Sequence, residues 1–483
     1  MLTSHLMPTP SERVLSTLNA DGSRRWLRPR LSPGRFLNAR RIVGWSLIGL
    51  FAGLPFVSIG GAPAVLLDVT RRQFTLFGKT FLPTDTILLA ILLLGIVVGA
   101  FLLTALLGRV WCGWACPQTV YLEFLYRPLE RFFDGPPGRG GTIGRRATGL
   151  RTAMKYAVYG LCSVALANVF LSYFVGVHSL QQWMSRSPIE HPTSFAVMAM
   201  TTALMFTNFV WFREQTCIVA CPYGRLQSVL LDANSLVVSY DPRRGEPRGH
   251  RKGGIQSSSG SAPGLGDCVD CGICVETCPT GIDIRRGLRM ECIGCAQCID
   301  ACDAVMAKRK LPSGLIRYSS QARIAGEGGR FLRPRLIVYT SFLLLISGLF
   351  AFLVAHSKTT DVAVLRGMGM PFTELSSGEV ANPLRIKITN RTREQHSYSI
   401  HLAESEPGRF LSESLSVTLE PAASMTRDVA LAVPPNVFFR GKHMTRLAII
   451  DDKQAVTEVA YELLGPQQAT NPLRTEEKTH AVR

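Results

Sequence analysis

The chain has 483 residues, 47% of them apolar and only 18% charged. So little charge excludes a chain disordered throughout, and the length excludes a small disulfide scaffold and exceeds one ordinary domain. Lys and Arg outnumber Asp and Glu 53 to 35, and the net charge of +18 suits either nucleic-acid binding or a membrane protein with basic cytoplasmic loops.

Residues 1–41 form a basic N-terminal segment with eight Lys and Arg. Five uncharged stretches follow, each long enough to cross a bilayer: Ile42–Leu67, Ile87–Gly108, Tyr156–Val177, Thr193–Phe212 and Leu336–Ala355. The first is broken by Pro55 and Gly60–Gly61, so its span is expected to end near there. It is too long for a signal peptide and lacks a cleavage site. Segments 109–155 and 213–335 hold eight and eighteen Lys and Arg, against three in 68–86 and one in 178–192. This asymmetry predicts that the N-terminus, 109–155 and 213–335 are cytoplasmic. With five spans, 357–483 would lie in a bacterial periplasm. The positive charge is then topology, and without a recognised module no nucleic-acid binding is expected. All thirteen cysteines fall between Cys112 and Cys302. A cysteine-free exterior and a cysteine-rich interior fit the same topology.

The second span ends in Trp111-Cys112-Gly-Trp114-Ala-Cys116-Pro117, and the fourth in Cys217-Ile-Val-Ala-Cys221-Pro222. Both read Cys-x-x-x-Cys-Pro, an internal repeat within the four-span region 42–212 and its edge. On a helix, positions i and i+4 share a face, so each pair would present two thiols together. Proline after the second Cys marks a helix boundary. If the hairpins pack side by side, four thiols converge. Such soft ligands favour Cu(I), Zn or an iron–sulfur centre; the plainer reading is small buried residues at helix ends. Residues 243–266 and Gly135–Gly144 read as linkers.

Within 213–335, Cys268, Cys271, Cys274 and Cys278-Pro279 form one run, and Cys292, Cys295, Cys298 and Cys302 repeat its spacing. This is the pattern of a bacterial two-cluster ferredoxin, in which the fourth Cys of each run crosses to the other 4Fe–4S cube. The rule assigns Cys268, Cys271, Cys274 and Cys302 to one cluster, and Cys292, Cys295, Cys298 and Cys278 to the other. Structural zinc sites are the alternative, but their half-sites carry two close cysteines. Asp303 stands where ferredoxins usually place proline. Gly272 and Gly294 would let the loops turn. Beyond the span at 336–355, short period-two runs after about Gly378 predict an antiparallel sandwich of about seven strands. The expected architecture is a five-span α-helical bundle, a cytoplasmic ferredoxin-like domain at about 260–312, and a periplasmic immunoglobulin-like all-β sandwich in 357–483.

Asp68–Asp85, Trp111–Glu123, Cys217–Gln227, both ferredoxin runs, Cys298–Met306, Gly314–Tyr318 and the sandwich tail together resemble a family of cytochrome c oxidase accessory proteins called CcoG, FixG or RdxA. Asp303 is normal for that family. The resemblance implies a cupric reductase of the bacterial inner membrane that supplies Cu(I) for assembly of a cbb-type oxidase. It implies copper as substrate or bound ion beside the two 4Fe–4S clusters, and the soft-ligand reading then puts the copper site at Cys112, Cys116, Cys217 and Cys221. Implied partners are oxidase assembly factors, copper chaperones and an unidentified cytosolic electron donor. The residue chemistry agrees, because a cluster delivers one electron at a time and thiolates favour Cu(I). The competing readings are a relay to quinone or a reductase partner, and a non-enzymatic assembly scaffold. The sequence admits a homodimer without arguing for one.

Overall fold

The computed structural model describes residues 15–136, 149–249, 265–327 and 333–466, apart from breaks at 20, 60–61, 70–72, 78, 82–84, 357–359, 393, 404–405, 413–414 and 422. The central parts of both expected linkers and the tail after Pro466 lie outside the described residues. The chain forms two compact units, residues 1–351 and 352–483.

In the first unit, helix α1 (Arg35–Gly53) is followed by a small antiparallel meander of β1 (Val65–Asp68), β2 (Gln73–Leu76) and β3 (Lys79–Phe81). Helix α2 (Thr86–Leu107) leads into the short helices α3 (Val110–Trp114) and α4 (Pro117–Tyr121), then α5 (Arg127–Asp134). Helix α6 (Gly149–Val175) precedes α7 (Pro192–Thr207), which continues to Phe212 as a π-helical turn. Among the described residues, four helices are long and apolar enough to cross a membrane: α2, α6, α7 with its extension, and α10 (Pro334–Ala355). A 22-residue helix reaches about 33 Å, enough for a hydrocarbon layer of about 30 Å.

The first expected span, Ile42–Leu67, is not one helix. α1 stops at Gly53, Pro55 sits in a single 3-10 turn over Leu54–Phe56, and Val65–Leu67 belong to β1. Proline cannot donate to the preceding turn, so the helix ends there. The apolar run from Ile42 to Phe56, α1 and the 3-10 turn together, rises only about 22 Å. α1 nevertheless lies along the bundle. Its buried Arg40 donates from Nε to the Gly113 carbonyl at 2.9 Å, and Tyr173 near the end of α6 donates to the Phe51 carbonyl at 2.7 Å.

Below the bundle, buried ion pairs join its helices to the cysteine-rich segment. Arg213 makes two hydrogen bonds to Glu130 at 3.0 and 2.8 Å. Arg28 and Lys155 both reach Asp134, at 2.8 and 2.9 Å. Arg127 pairs with Glu123 and Glu214 and donates to the Pro279 carbonyl at 3.1 Å. Helix α8 (Pro222–Leu230) leads to β4 (Val237–Tyr240), which pairs antiparallel with β5 (Ile316–Ser319). Val238, Tyr240, Ile282, Ile284, Leu315 and Ile316 pack with Ile299 and Met306 of α9 (Gln297–Lys308). The fold around the two cysteine runs thus draws in strands outside 260–312. The described ends of the expected 243–266 linker are held, with Arg244 bonded to Asp267 at 2.6 Å.

The second unit is a sandwich of two antiparallel sheets. One orders β10 (Ser424–Val433), β7 (Val380–Asn390) and β6 (Thr360–Arg366), with two-residue edge strands at Arg409–Phe410 and Thr373–Glu374. The other orders β9 (Ser416–Leu419), β8 (His396–Leu402), β11 (Lys442–Asp451) and β12 (Val456–Leu464). Alternate side chains of the paired strands face inward: Leu384, Ile386 and Ile388 meet Tyr398, Ile400, Leu447 and Ile449. β6 begins at Thr360, well before the alternating runs that follow Gly378.

Candidate electron-transfer site

The two cysteine runs wrap two cavities. Cys268, Cys271, Cys274 and Cys302 line one of about 360 Å³, with Arg285, Tyr240 and Met306. Cys278, Cys292, Cys295 and Cys298, together with Cys274, line the other, of about 340 Å³. Each loop turns through two left-handed residues at matching places, Asp270 and Gly272 in the first, Gly294 and Ala296 in the second. Sequence reasoning anticipated only the two glycines. Asp and Ala in this conformation carry a steric cost that the surrounding structure must hold.

Both cavities suit a metal cluster rather than a single ion. Each is ringed by four or five thiols, more than the two close cysteines of a zinc half-site. Burial pushes the Cys274, Cys292 and Cys302 thiols up to about 12, Cys295 to about 11, and Cys298 well above its ordinary value. Thiolates here need a cationic core to replace the lost solvation. Cys271 alone among the eight is exposed.

The paired cysteines at the bundle's edge share a second local geometry. Cys116 and Cys221 are each the residue before a proline that opens the next helix, α4 or α8. Their amides reach back five residues, Cys116 to Trp111 O at 2.9 Å and Cys221 to Thr216 O at 2.8 Å. The motif is therefore not an uninterrupted α-helix with i and i+4 on one face. Proline forces the preceding Cys into an extended conformation and starts a new helix. Cys112 donates to Gln227 Oε1 at 3.0 Å, and Gln227 and Tyr223 both bond the buried Thr104. Burial raises Cys112 to about 11 and Cys217 to about 12, and the charges of neighbouring cysteines from both pairs add to each shift. The two pairs are thus neighbours, although among the described residues no three of their sulfurs lie within 4.8 Å of one another. Cys162 stands apart on α6, against Tyr121, Tyr126 and Phe209.

The two sites touch. A Cβ on Gly113, between Cys112 and Cys116, would meet Ile293 O at 2.6 Å and Cys295 N and Cα at 2.8 Å. Trp114 donates to the Tyr318 hydroxyl at 3.0 Å, and that hydroxyl donates to the Gly294 carbonyl. Trp114 is thus a strut between the first pair and the second cysteine loop. Arg109 bonds the Met290 carbonyl. Arg40, Arg109, Gln227 and Tyr318 escaped sequence reasoning. The available signal was local: Arg109 and Gln227 each lie within a few residues of a Cys pair, and Tyr318 closes the GLIRY stretch.

Residues 212–321 match a 4Fe–4S dicluster domain, 89–136 a 4Fe–4S binding domain, and 350–466 the Ig-like fold at the C-terminus of FixG. Nitrogen fixation protein FixG of Rhizobium meliloti is 32% identical over 419 residues, covering 78% of this chain and 79% of that protein. The chain belongs to the FixG family. RdxA and RdxB of Cereibacter sphaeroides are each 33% identical, over 393 and 400 residues, covering 77% of this chain and 81% and 82% of theirs. The protein is accordingly an iron–sulfur electron-transfer protein of the FixG/RdxA type, with an Ig-like C-terminal domain and four membrane-length apolar helices. Cys112 and Cys116 fall inside the match to a 4Fe–4S binding domain, and Cys217 and Cys221 inside the dicluster match.

Proposed function

We propose that the protein passes single electrons through two 4Fe–4S clusters to Cu(II), reducing it to Cu(I) at Cys112, Cys116, Cys217 and Cys221. The observation that carries this reading is the backbone contact of Gly113 with Cys295, which joins the segment carrying Cys112 and Cys116 to a cluster loop. Cys268, Cys271, Cys274 and Cys302 hold one cube; Cys278, Cys292, Cys295 and Cys298 hold the other. When bound, the clusters supply one-electron chemistry, which matches the single electron each Cu(II) takes. Arg109 lies beside Cys112 and favours its thiolate, while Gln227 fixes the sulfur's direction. The Cu(I) serves assembly of a cbb-type oxidase, handed on by copper chaperones. In this reading α1 is a fifth, short crossing, supported by its exposed Ile42, Trp45 and Leu50. The basic segments face the cytoplasm of a bacterial inner membrane, and the sandwich lies in the periplasm.

One observation favours a second reading, a relay to quinone. A largely apolar pocket is lined by Leu231, Leu236, Leu288 and Cys292 together with Arg109 and Tyr318. A single-turnover experiment separates the two. Protein reduced anaerobically and freed of reductant is mixed with Cu(II) and a Cu(I)-trapping chelator. Stoichiometric Cu(I) with matching bleaching of cluster absorbance is expected. Clusters that stay reduced before copper but discharge to a short-tailed quinone would replace the copper reading with the relay.

A further inference from the structure

We propose that Arg40, together with Arg109, makes the cluster at Cys278, Cys292, Cys295 and Cys298 the higher-potential one, so that electrons settle on the cluster that touches the paired cysteines. The proposal rests on the assignment of the eight cysteines as cluster ligands.

Arg40 is 1% exposed and is among the largest fully buried side chains of the protein. Its Nε is satisfied by Gly113 O, but Nη1 and Nη2 have no hydrogen-bond partner. Among the described residues it makes no ion pair. A guanidinium cannot shed its proton. A buried charge without compensation is strongly disfavoured, so an anion within reach must balance it. Gly113, to which Arg40 is fastened, lies against Cys295, and Phe124 sits 5.6 Å from the guanidinium. Glu123, a carboxylate in that neighbourhood, is taken by Arg127. The compensating anion is the thiolate-bound cluster, whose negative charge grows by one on reduction. The N-terminal end of α1 is held for this purpose by Asp300 of α9, which accepts from the Phe36 and Leu37 amides at 3.1 and 2.7 Å.

Arg109 repeats the arrangement from the other side. It is buried, its Nε lacks a partner, its backbone carbonyl lies against Gly294, and it lines a cavity with Cys292. The cluster at Cys268 differs. Its cation, Arg285, is neutralised by Asp283 at 2.8 Å and by Asp270. Asp303 directly follows Cys302. Solvation and charge oppose each other. Solvent at exposed Cys271 helps the outer cluster accept an electron, and deep burial hinders the inner one. The two cations, neither ion-paired with a carboxylate among the described residues, act on the inner cluster through a low-dielectric interior, where Coulomb attraction is weakly screened, and they outweigh that burial.

The test is a redox titration of full-length protein carrying both clusters, followed by EPR, with iron counted per chain. Arg40→Met should shift the equilibrium for sharing one electron between the clusters at least tenfold toward the outer one, about 59 mV for a one-electron couple. Arg40→Lys should stay within about threefold of wild type. Arg41→Met, an exposed neighbour on α1, should leave it unmoved. Full iron loading of Arg40→Met with unchanged sharing would overturn the proposal, as would a shift of equal size in Arg40→Lys. Should Arg40→Met fail to load, Cys271→Ser in the Arg40 background decides. The spectrum of the first electron should be unaltered and that of the second changed; the reverse order overturns the proposal. Wild-type protein lacking two cubes' worth of iron would sink the ligand assignment itself, and the iron count shows this before any potential is measured.

Discussion

Gly113→Ala tests the contact on which electron delivery depends. The added Cβ would stand 2.6 Å from Ile293 O and 2.8 Å from the backbone of Cys295. All three obstacles are backbone atoms, so no side chain can swing aside. Ordinary contact begins near 3.4 Å, so α3 and the second cysteine loop must part by about 0.8 Å. Overpacking of this kind costs on the order of 1–3 kcal/mol. Displacements near 1 Å between reacting groups can cost up to about a hundredfold in rate. The expected result is a protein that keeps its iron but reduces Cu(II) about ten to a hundred times more slowly in a single turnover. Stopped-flow recording of cluster bleaching, with iron content and the dithionite-reduced spectrum as controls, reads this directly. Wild-type speed in a fully loaded Gly113→Ala protein would refute the claim that electrons leave through this contact.

Cys112→Ala and Cys217→Ala should each abolish most copper reduction while both clusters remain, since neither lines a cluster cavity; iron analysis beside the chelator assay checks it. Glu130→Gln should destabilise the first unit by about 3–5 kcal/mol, because it leaves the buried Arg213 and the half-buried Arg28 with one partner fewer. Denaturant unfolding of the detergent-solubilised protein measures it. Burial raises the Glu130 carboxyl, but Arg213, Arg28 and Arg127 outweigh it and hold the group below its ordinary value. A depressed acid contributes stability that is fully present above its unfolded pKa of about 4.3 and is lost as pH falls through the folded value. The difference between wild type and Glu130→Gln should therefore be flat from pH 6 to 8 and shrink in acid. In iron-free protein, alkylation of Cys112 should keep rising with pH up to about 11, because only the thiolate reacts; mass spectrometry of labelled peptides at stepped pH would show a plateau near pH 8 if that is wrong.

Much of this protein is legible residue by residue. Eight cysteines in two runs of one rhythm point to two cubes, because three ligands of a cube on one short loop demand that spacing. The doubled Cys-x-x-x-Cys-Pro motif marks equivalent bends, because proline imposes the same break wherever it falls. Alternation in 384–388, 398–402 and 447–449 marks sandwich strands, because side chains of a strand face opposite ways. What escaped the linear reading depends on partners distant in the chain. α1 looks like the start of a membrane span, yet it is pinned at Asp300 and Gly113, far along the sequence. Its Arg40 reads as one more basic residue at a membrane edge; its burial beside Cys295 exists only after α1 docks. The same holds for Arg213 and Glu130, which are ordinary loop charges until α5 and the end of α7 meet. Local periodicity and spacing are short-range properties and survive in the sequence. The compensation of a buried charge is a property of the assembled interior, and only tertiary structure decides which anion answers which cation.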